Sequence, residues 1–236
     1  MKTLIFNGSP RKHGETQKLI DCLKEELGGE IKVVDTYYVK VRPCMDCRYC
    51  MDHEGCAIDD EMQVIYQDIA DADHIIIASP IYYEELTGML LAVLSRLQIY
   101  FGAIHVRHKH LVTKPKTGGI LLVGGSIGPR EKAESTAMML LEQMLCKHIG
   151  TVYMGWTDRK LVEDRPEILE EVRELARALK EQEVSEETTL EEEVSETEAS
   201  EESAEEASEA EVTETEASEE EMPEEETSEE VAAEEE

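Results

Sequence analysis

Four cysteines lie within thirteen residues of one another, at Cys44, Cys47, Cys50 and Cys56. The first three follow at steps of three residues, the spacing with which one short loop wraps a cubane iron–sulfur cluster and gives each iron one thiolate. Gly55 lets the chain turn back before the fourth. The loop 44–56 therefore predicts a [4Fe–4S] cluster. A four-cysteine zinc site is the first alternative, although such sites usually pair two separated C-x2-C knuckles. Cysteines that only pack the loop are the second.

A second group of residues is suited to binding an anion. An apolar run at 4–6 leads through a short polar loop straight into an amphipathic helix. The first N–H groups of a helix are unpaired and carry partial positive charge, so a phosphate group binds there. Hydroxyl and guanidinium groups in the loop add donors. The residues concerned are Ser9, Arg11, Gly14 and Thr16.

Two common nucleotide motifs are absent from this loop. Glu15 stands where a Walker loop needs lysine before Thr16, and Gly8 and Gly14 do not fit the G-x-G-x-x-G spacing. The loop therefore predicts a phosphate group outside those two classes. A tight strand-to-helix turn without a ligand remains the alternative interpretation.

A third group of residues follows the apolar run at 74–78, namely Ser79, Pro80, Ile81, Tyr82 and Tyr83. Backbone amides and aromatic faces can hold a flat ring, with stacking worth about 1 kcal/mol per pair. Carboxyl ends of parallel strands meet at one edge of a sheet. We therefore expect this loop to meet the phosphate loop and the Gly124-Gly125 turn. A phosphate group joined to a flat ring, without a Walker lysine, predicts FMN, although two packed tyrosines in a turn would leave the same pattern.

Strand-like and helical segments alternate about five times along the chain. Strands are predicted at 4–6, 31–34, 74–78, 120–123 and 151–156. Helices are predicted at 17–27, 59–69, 86–99, 130–148 and 167–180, with an excursion at 100–118. This alternation predicts an α/β doubly wound parallel sheet. Cys22, on the polar side of the first helix, and Cys146, in the long helix, are expected to be plain helix residues.

The negative charge is concentrated at one end of the chain. The 236 residues carry a net charge of -32. Residues 183–236 contain 27 of the 55 acidic residues and no basic ones, so residues 1–182 hold 55 − 27 = 28 acidic against 23 basic residues. This distribution predicts a folded domain at 1–182 and a disordered acidic tail at 183–236. Such a tail repels nucleic acid.

Neither a membrane span nor a secretory signal is predicted. No run approaches the roughly 18 apolar residues that cross a bilayer, and the chain begins directly with a strand. Six cysteines without an export signal are typical of a reducing compartment. We therefore expect a cytoplasmic protein.

The two loops, followed by Arg96, resemble those of the NAD(P)H-dependent FMN reductase family of flavodoxin-like proteins. The four added cysteines make the chain similar to the iron–sulfur flavoprotein branch. The resemblance covers about residues 1–180 and implies a five-stranded sheet in the order 2-1-3-4-5. It also implies that Ser9, Arg11 and Thr16 hold the FMN phosphate. Residues 80–83 would lie along the isoalloxazine, and Gly124 and Gly125 would approach its other edge.

The sequence departs from the family's usual pattern at two positions. Glu15 stands where asparagine is usual, and an acid beside a phosphate is unfavourable unless it points away. Ser95 stands where aspartate usually precedes Arg96, and the loss of that carboxylate is expected to weaken a local ion pair.

The predicted function is FMN-dependent oxidation of NAD(P)H, or acceptance of electrons from a reduced carrier. Flavin accepts a hydride as two electrons and a cluster passes them on singly, here to an acceptor such as a quinone. The flavin carries this chemistry, so no catalytic side chain is predicted. The family resemblance implies a homodimer or homotetramer. A non-enzymatic redox carrier or sensor, with structural or zinc-binding cysteines, is the alternative.

Overall fold

The computed structural model describes residues 1–182, so the predicted acidic tail lies outside the described residues. Five strands form one parallel sheet. They are β1 (Lys2–Asn7), β2 (Glu30–Asp35), β3 (His74–Pro80), β4 (Lys116–Val123) and β5 (Cys146–Met154). Their order is β2-β1-β3-β4-β5, which confirms the predicted doubly wound, flavodoxin-like arrangement.

Helices connect the strands along the chain. They are α1 (Glu15–Leu27), α2 (Tyr49–Asp52), α3 (Met62–Asp71), α4 (Gly88–Leu94), α5 (Gln98–His105), α6 (Glu131–Glu142) and α7 (Pro166–Glu181). Single 3-10 turns, Ser95–Leu97 and Val162–Asp164, precede α5 and α7. The short α2 lies inside the cysteine loop.

The central strands are apolar on both faces because helices cover both sides of the sheet. Side chains of successive strand residues alternate between two buried clusters. In β3, Ile75 and Ile77 join the cluster that includes α3, α4 and α6, whereas Ile76 and Ala78 join the cluster of α1 and α7. The continuous apolar run at 74–78 therefore serves both cores, as its pattern predicts.

The predicted long helix at 130–148 is wrong at its end. The helix α6 stops at Glu142, Leu145 adopts a left-handed conformation with φ 54°, and β5 begins at Cys146. The apolar run suits either a helix or a buried strand, so its periodicity could not decide. Pairing with β4 decides it, and Cys146 is a buried strand residue and not a helix residue.

The predicted helix at 86–99 and excursion at 100–118 also need correction. Helical structure continues to His105, and β4 begins at Lys116. The stretch Gly88–His105 is long and apolar enough to cross a membrane, which the sequence reading missed, but half of it is buried inside the fold. Cys22 is buried in the core cluster of α1 and α7 and does not lie on a polar face.

Lys116 generates a prediction about stability. It opens β4 with 1% exposure, pairs in register with Cys146, and its Nζ donates to the Lys114 carbonyl at 2.5 Å. Burial lowers the pKa of Lys116 from 10.5 to about 8. Between those pH values the unfolded chain binds more protons than the folded one, so stability rises with pH there.

We expect Lys116→Met to be more stable than the parent at pH 7, by roughly 2 kcal/mol, because a buried charge is removed. The advantage should shrink as the pH rises from 8 to 10.5. Urea denaturation at pH 7, 8.5 and 10 measures both quantities. Parallel stability profiles for the two proteins would contradict the assignment.

Candidate functional site at the carboxyl edge of the sheet

The predicted phosphate loop lies between β1 and α1, and hydrogen bonds of the Asn7 side chain hold its conformation. Asn7 Oδ1 accepts a hydrogen bond from the Ser9 backbone N–H at 3.0 Å, and its Nδ2 donates to Asp35 at 2.8 Å. Ser9 Oγ in turn accepts from the backbone N–H of Arg11 at 3.2 Å. Sequence reasoning missed Asn7, although a buried polar residue at a strand end was a usable signal.

The start of α1 has the free donors that an anion needs. Gly14 occupies the N-cap position and provides no side-chain cap, so the N–H groups of the first turn are left to a ligand. Ser9 and Thr16 are buried beside this turn, whereas Arg11 is exposed. The structure thus brings the predicted hydroxyls to the helix start and leaves the guanidinium at the rim.

Glu15 points away from the phosphate loop. One carboxylate oxygen pairs with Lys18 Nζ at 3.0 Å, and the other accepts the backbone N–H of Val162 at 2.5 Å. Both carboxylate oxygens of Glu15 are therefore engaged by protein groups, although Lys18 is shared with Glu163.

The loops that follow β1 and β3 are tied together at Gly8. The Gly8 N–H donates to the Ala78 carbonyl at 2.7 Å, and its carbonyl accepts from Thr87 Oγ1 at 2.8 Å. Ser79 Oγ accepts the Thr87 N–H at 3.2 Å. A Cβ atom on Gly8 would lie 2.9 Å from both of these hydroxyl oxygens. Only glycine permits this contact, which sets the spacing of the two loops.

The loops that follow β3 and β4 form the sides of a recess that is open to solvent. Four of the predicted ring-contacting residues line it, namely Ile81, Tyr83, Gly124 and Gly125. The other three predicted residues lie outside its lining: Ser79 is buried and donates to the Pro80 carbonyl, Pro80 is half-buried, and Tyr82 is half exposed. The structure therefore assembles most, but not all, of the predicted set in one place.

Tyr153 is a lining residue that sequence reasoning missed. Its hydroxyl donates to the Ser126 carbonyl at 3.2 Å, and a Cβ on Gly124 would lie 2.8 Å from that hydroxyl. A Cβ on Gly125 would come within 2.7 Å of Asp158. Gly124 therefore packs closely against Tyr153 and the Ser126 carbonyl, whereas the neighbour of Gly125 is an exposed carboxylate that can move. Nothing in the sequence pairs Tyr153 with this turn.

All four cysteines of the loop 44–56 line a second, narrow recess, together with Arg96. Cys50 is buried, Cys47 is exposed, and Cys44 and Cys56 are intermediate. Burial raises the pKa of the Cys50 thiol, and the neighbouring cysteines add to the effect. Within residues 1–182 no three cysteine, histidine or acidic side chains converge closely enough to hold one metal ion.

The donor chemistry of this recess fits iron–sulfur ligation, because thiolates are the usual ligands of such clusters. A single zinc ion needs its ligands to converge on one point. A cubane instead takes one thiolate at each iron, so its four ligands need not meet at one point.

The cysteine loop is anchored by the buried side chain of Arg96, which is 1% exposed. Its guanidinium donates to Asp60 at 2.8 Å, to the Arg42 carbonyl at 3.0 Å and to the Ile58 carbonyl at 3.2 Å. The two ends of the loop are thereby held to one side chain. The ion pair that Ser95 put in question is therefore made with Asp60.

Ser95 contributes a different contact to the same loop. Its Oγ accepts the backbone N–H of Cys44 at 3.0 Å and donates to the Ala92 carbonyl at 2.6 Å. Burial acts to raise the pKa of Asp60, but hydrogen bonds from Arg96 and from two backbone N–H groups lower it overall. The first cysteine and the anchoring ion pair are thus both held by the turn after α4.

Residues 1–157 match the model of the NADPH-dependent FMN reductase family. The chain belongs to this family. It is 36% identical over 129 residues to an iron-sulfur flavoprotein of Methanosarcina thermophila, which covers 53% of this chain and 64% of the relative. It is 33% identical over 131 residues to an iron-sulfur flavoprotein of Archaeoglobus fulgidus, covering 54% and 65%. The match spans less than two thirds of the length of these curated relatives.

A solved structure also shares the fold of this family member. An FMN-dependent NADH-azoreductase of Bacillus anthracis str. Ames Ancestor, in complex with FMN, superposes with a TM-score of 0.58. The comparison covers 76% of this chain and 99% of the other at 15% sequence identity. At that identity the likeness concerns the fold alone.

The close contact at Gly8 predicts that adding a single methyl group there lowers the stability of the fold. We expect Gly8→Ala to cost about 1–3 kcal/mol, because the new Cβ overlaps the hydroxyls of Ser79 and Thr87. Gly88→Ala is the matched control, since no atom lies within 4 Å of a Cβ there. Urea denaturation of both variants measures the difference, and equal stabilities would refute the contact.

The Arg96 anchor predicts a large effect on stability. We expect Arg96→Met to cost about 3–5 kcal/mol, because it leaves the largely buried carboxylate of Asp60 without its partner. The lowered pKa of Asp60 means that its stabilising contribution is present above the ordinary carboxyl pKa and is lost as the pH falls through its folded value.

Arg173→Met is the control for this experiment. Arg173 pairs with Glu170 at 3.1 Å, with both side chains about half exposed, so its loss should cost at most about 1 kcal/mol. Urea denaturation at pH 7, together with limited proteolysis of the segment 42–60, measures both variants. Similar losses would show that the buried pair does not anchor the loop.

Proposed function

We propose that this protein is an FMN-dependent oxidoreductase that takes a hydride from NAD(P)H and passes electrons onward. The observation that carries the proposal is the sheet edge itself. There an uncapped helix start and a glycine-walled recess lie on loops joined at Gly8, in a chain that belongs to the FMN reductase family.

The residues of the first loop would bind the FMN phosphate. The N–H groups at the start of α1 and the hydroxyls of Ser9 and Thr16 supply fixed donors, and Arg11 adds charge from the rim. The loop is organised by Asn7 and by the contact at Gly8, so little ordering remains to be done on binding.

The recess lined by Ile81, Tyr83, Gly124 and Gly125 would take the isoalloxazine. When bound, the flavin supplies two-electron acceptance and one-electron donation. The chain's own residues orient the ring and exclude water from it. A nicotinamide ring, or a quinone as acceptor, would approach from the side of the recess that is open to solvent.

Tyr83 is fully exposed at the mouth of this recess and Ile127 is 68% exposed on the loop after β4. Apolar side chains in such positions favour burial against a second copy of the chain. We therefore propose a homodimer or a homotetramer in which the partner covers this mouth. None of the six cysteines, which all lie within residues 1–182, is in a disulfide, which fits a reducing cytoplasm.

A [4Fe–4S] cluster on Cys44, Cys47, Cys50 and Cys56 completes the proposal. It is supported by the shared recess, by the Arg96 anchor and by the names of the relatives in Methanosarcina and Archaeoglobus. The cluster would accept electrons one at a time from the flavin.

The first test is an absorption spectrum of protein purified without oxygen, with iron and sulfide assays on the same sample. We expect flavin bands, a broad shoulder near ~400 nm and about four irons per chain. Anaerobic addition of NADPH or NADH should then bleach the flavin. Cys47→Ser should lose iron and keep flavin, whereas Cys22→Ser, which changes a cysteine of the distant core, should keep both.

Three other outcomes of this experiment would contradict part or all of the proposal. Flavin without iron would remove the cluster and leave a simple FMN reductase. Flavin that NAD(P)H does not reduce, but that a reduced carrier protein does, would indicate an electron carrier instead of a pyridine-nucleotide oxidoreductase. Protein that stays colourless after FMN is added would overturn the proposal.

A further inference from the structure

Arg107 lies two residues beyond α5, and its guanidinium contacts the cysteine loop. Its Nε donates to the carbonyl oxygen of Cys50 at 3.2 Å. The side chain is only 10% exposed. Its Nη1 is 4.0 Å from Glu54, outside hydrogen-bond range, and its Nη2 is buried with no partner among residues 1–182.

The backbone of α5 packs directly against Cys50 at Gly102. A Cβ on Gly102 would lie 2.9 Å from the Cys50 carbonyl oxygen and 3.1 Å from Met51 Sδ, so α5 presents bare backbone to α2. The backbone N–H of Arg107 donates to the Gly102 carbonyl at 3.1 Å, which fixes the arginine beside the contact between Gly102 and Cys50. The position of Cys50 is therefore set by a helix outside the cysteine loop.

The charge of Arg107 is incompletely balanced by the residues around it. Burying a guanidinium is costly unless it is paired and fully hydrogen-bonded. The nearest acid, Glu54, is 66% exposed and lies closer to Lys109, at 3.2 Å. A cluster ligated by four thiolates is an anion, and it becomes more negative when it is reduced. Arg107 does not line the cysteine recess, but it is bonded to the Cys50 carbonyl, so an anionic group ligated by Cys50 would supply countercharge close to it.

We propose that Arg107 is a positioning residue for the cluster, which holds Cys50 in place and raises the reduction potential of the bound cluster. This inference rests on the proposed cluster at 44–56. Cluster potentials depend on nearby charge and hydrogen bonding. A buried cation acts through a low dielectric constant, so it favours the reduced form more strongly than a surface cation at a similar distance does.

Three variants test this role. Arg107→Gln removes the charge and keeps an N–H donor for the Cys50 carbonyl, whereas Arg107→Lys keeps the charge. Lys109→Gln is the matched control, because it removes a positive charge nearby whose side chain is 60% exposed. Each protein is assayed for iron and flavin, and the cluster midpoint is measured by dye-mediated titration with dithionite, followed by electron paramagnetic resonance.

We expect the midpoint of Arg107→Gln to fall below that of the parent, while Arg107→Lys and Lys109→Gln stay close to the parent. Full iron content in Arg107→Gln with an unchanged midpoint would overturn the inference and leave the proposed cluster intact. If Arg107→Gln folds but holds no iron, Arg107→Lys decides: iron with the parental midpoint supports the role, and loss of iron there as well overturns it. A parent protein that binds flavin without iron overturns the cluster and this inference together.

Discussion

The contact of the Gly8 backbone with Thr87 and Ser79 is the constraint on which the flavin-side site depends. The Gly8 carbonyl accepts from Thr87 Oγ1 at 2.8 Å, its N–H donates to the Ala78 carbonyl near the end of β3 at 2.7 Å, and no room is left for a side chain. Because the phosphate loop and the ring loop extend from these two strand ends, their spacing is set before any ligand arrives. Preorganisation of this kind lowers the entropy that binding must overcome.

The cysteine loop differs from the flavin-side loops because it has little regular structure. Side chains of other segments hold it in position. Arg96 gathers both ends of the loop from the turn after α4, and Gly102 and Arg107 hold Cys50 from α5. A segment of this kind cannot satisfy its backbone groups internally, so buried guanidinium groups with several donors serve in place of a sheet or helix.

Residues between β3 and β4 therefore hold parts of both sites in position. Thr87, just before α4, supports the phosphate loop, Arg96 supports the cysteine loop, and α5 supports its middle cysteine. The two recesses are lined by different residues but share this support.

The sequence by itself determined the fold class, because alternating apolar strands and amphipathic helices leave few alternatives to a doubly wound sheet. It also determined the loops that meet at the sheet edge and the four cysteines, because glycine, hydroxyl and thiol spacing are local properties. Tertiary structure alone decided that Cys146 lies in a strand and that Glu15 accepts a hydrogen bond from Val162. It also decided that Tyr153 lines the recess after β3 and β4 and that Arg107 contacts Cys50. Each of these depends on a contact between residues distant in the chain, which periodicity and motif spacing do not contain.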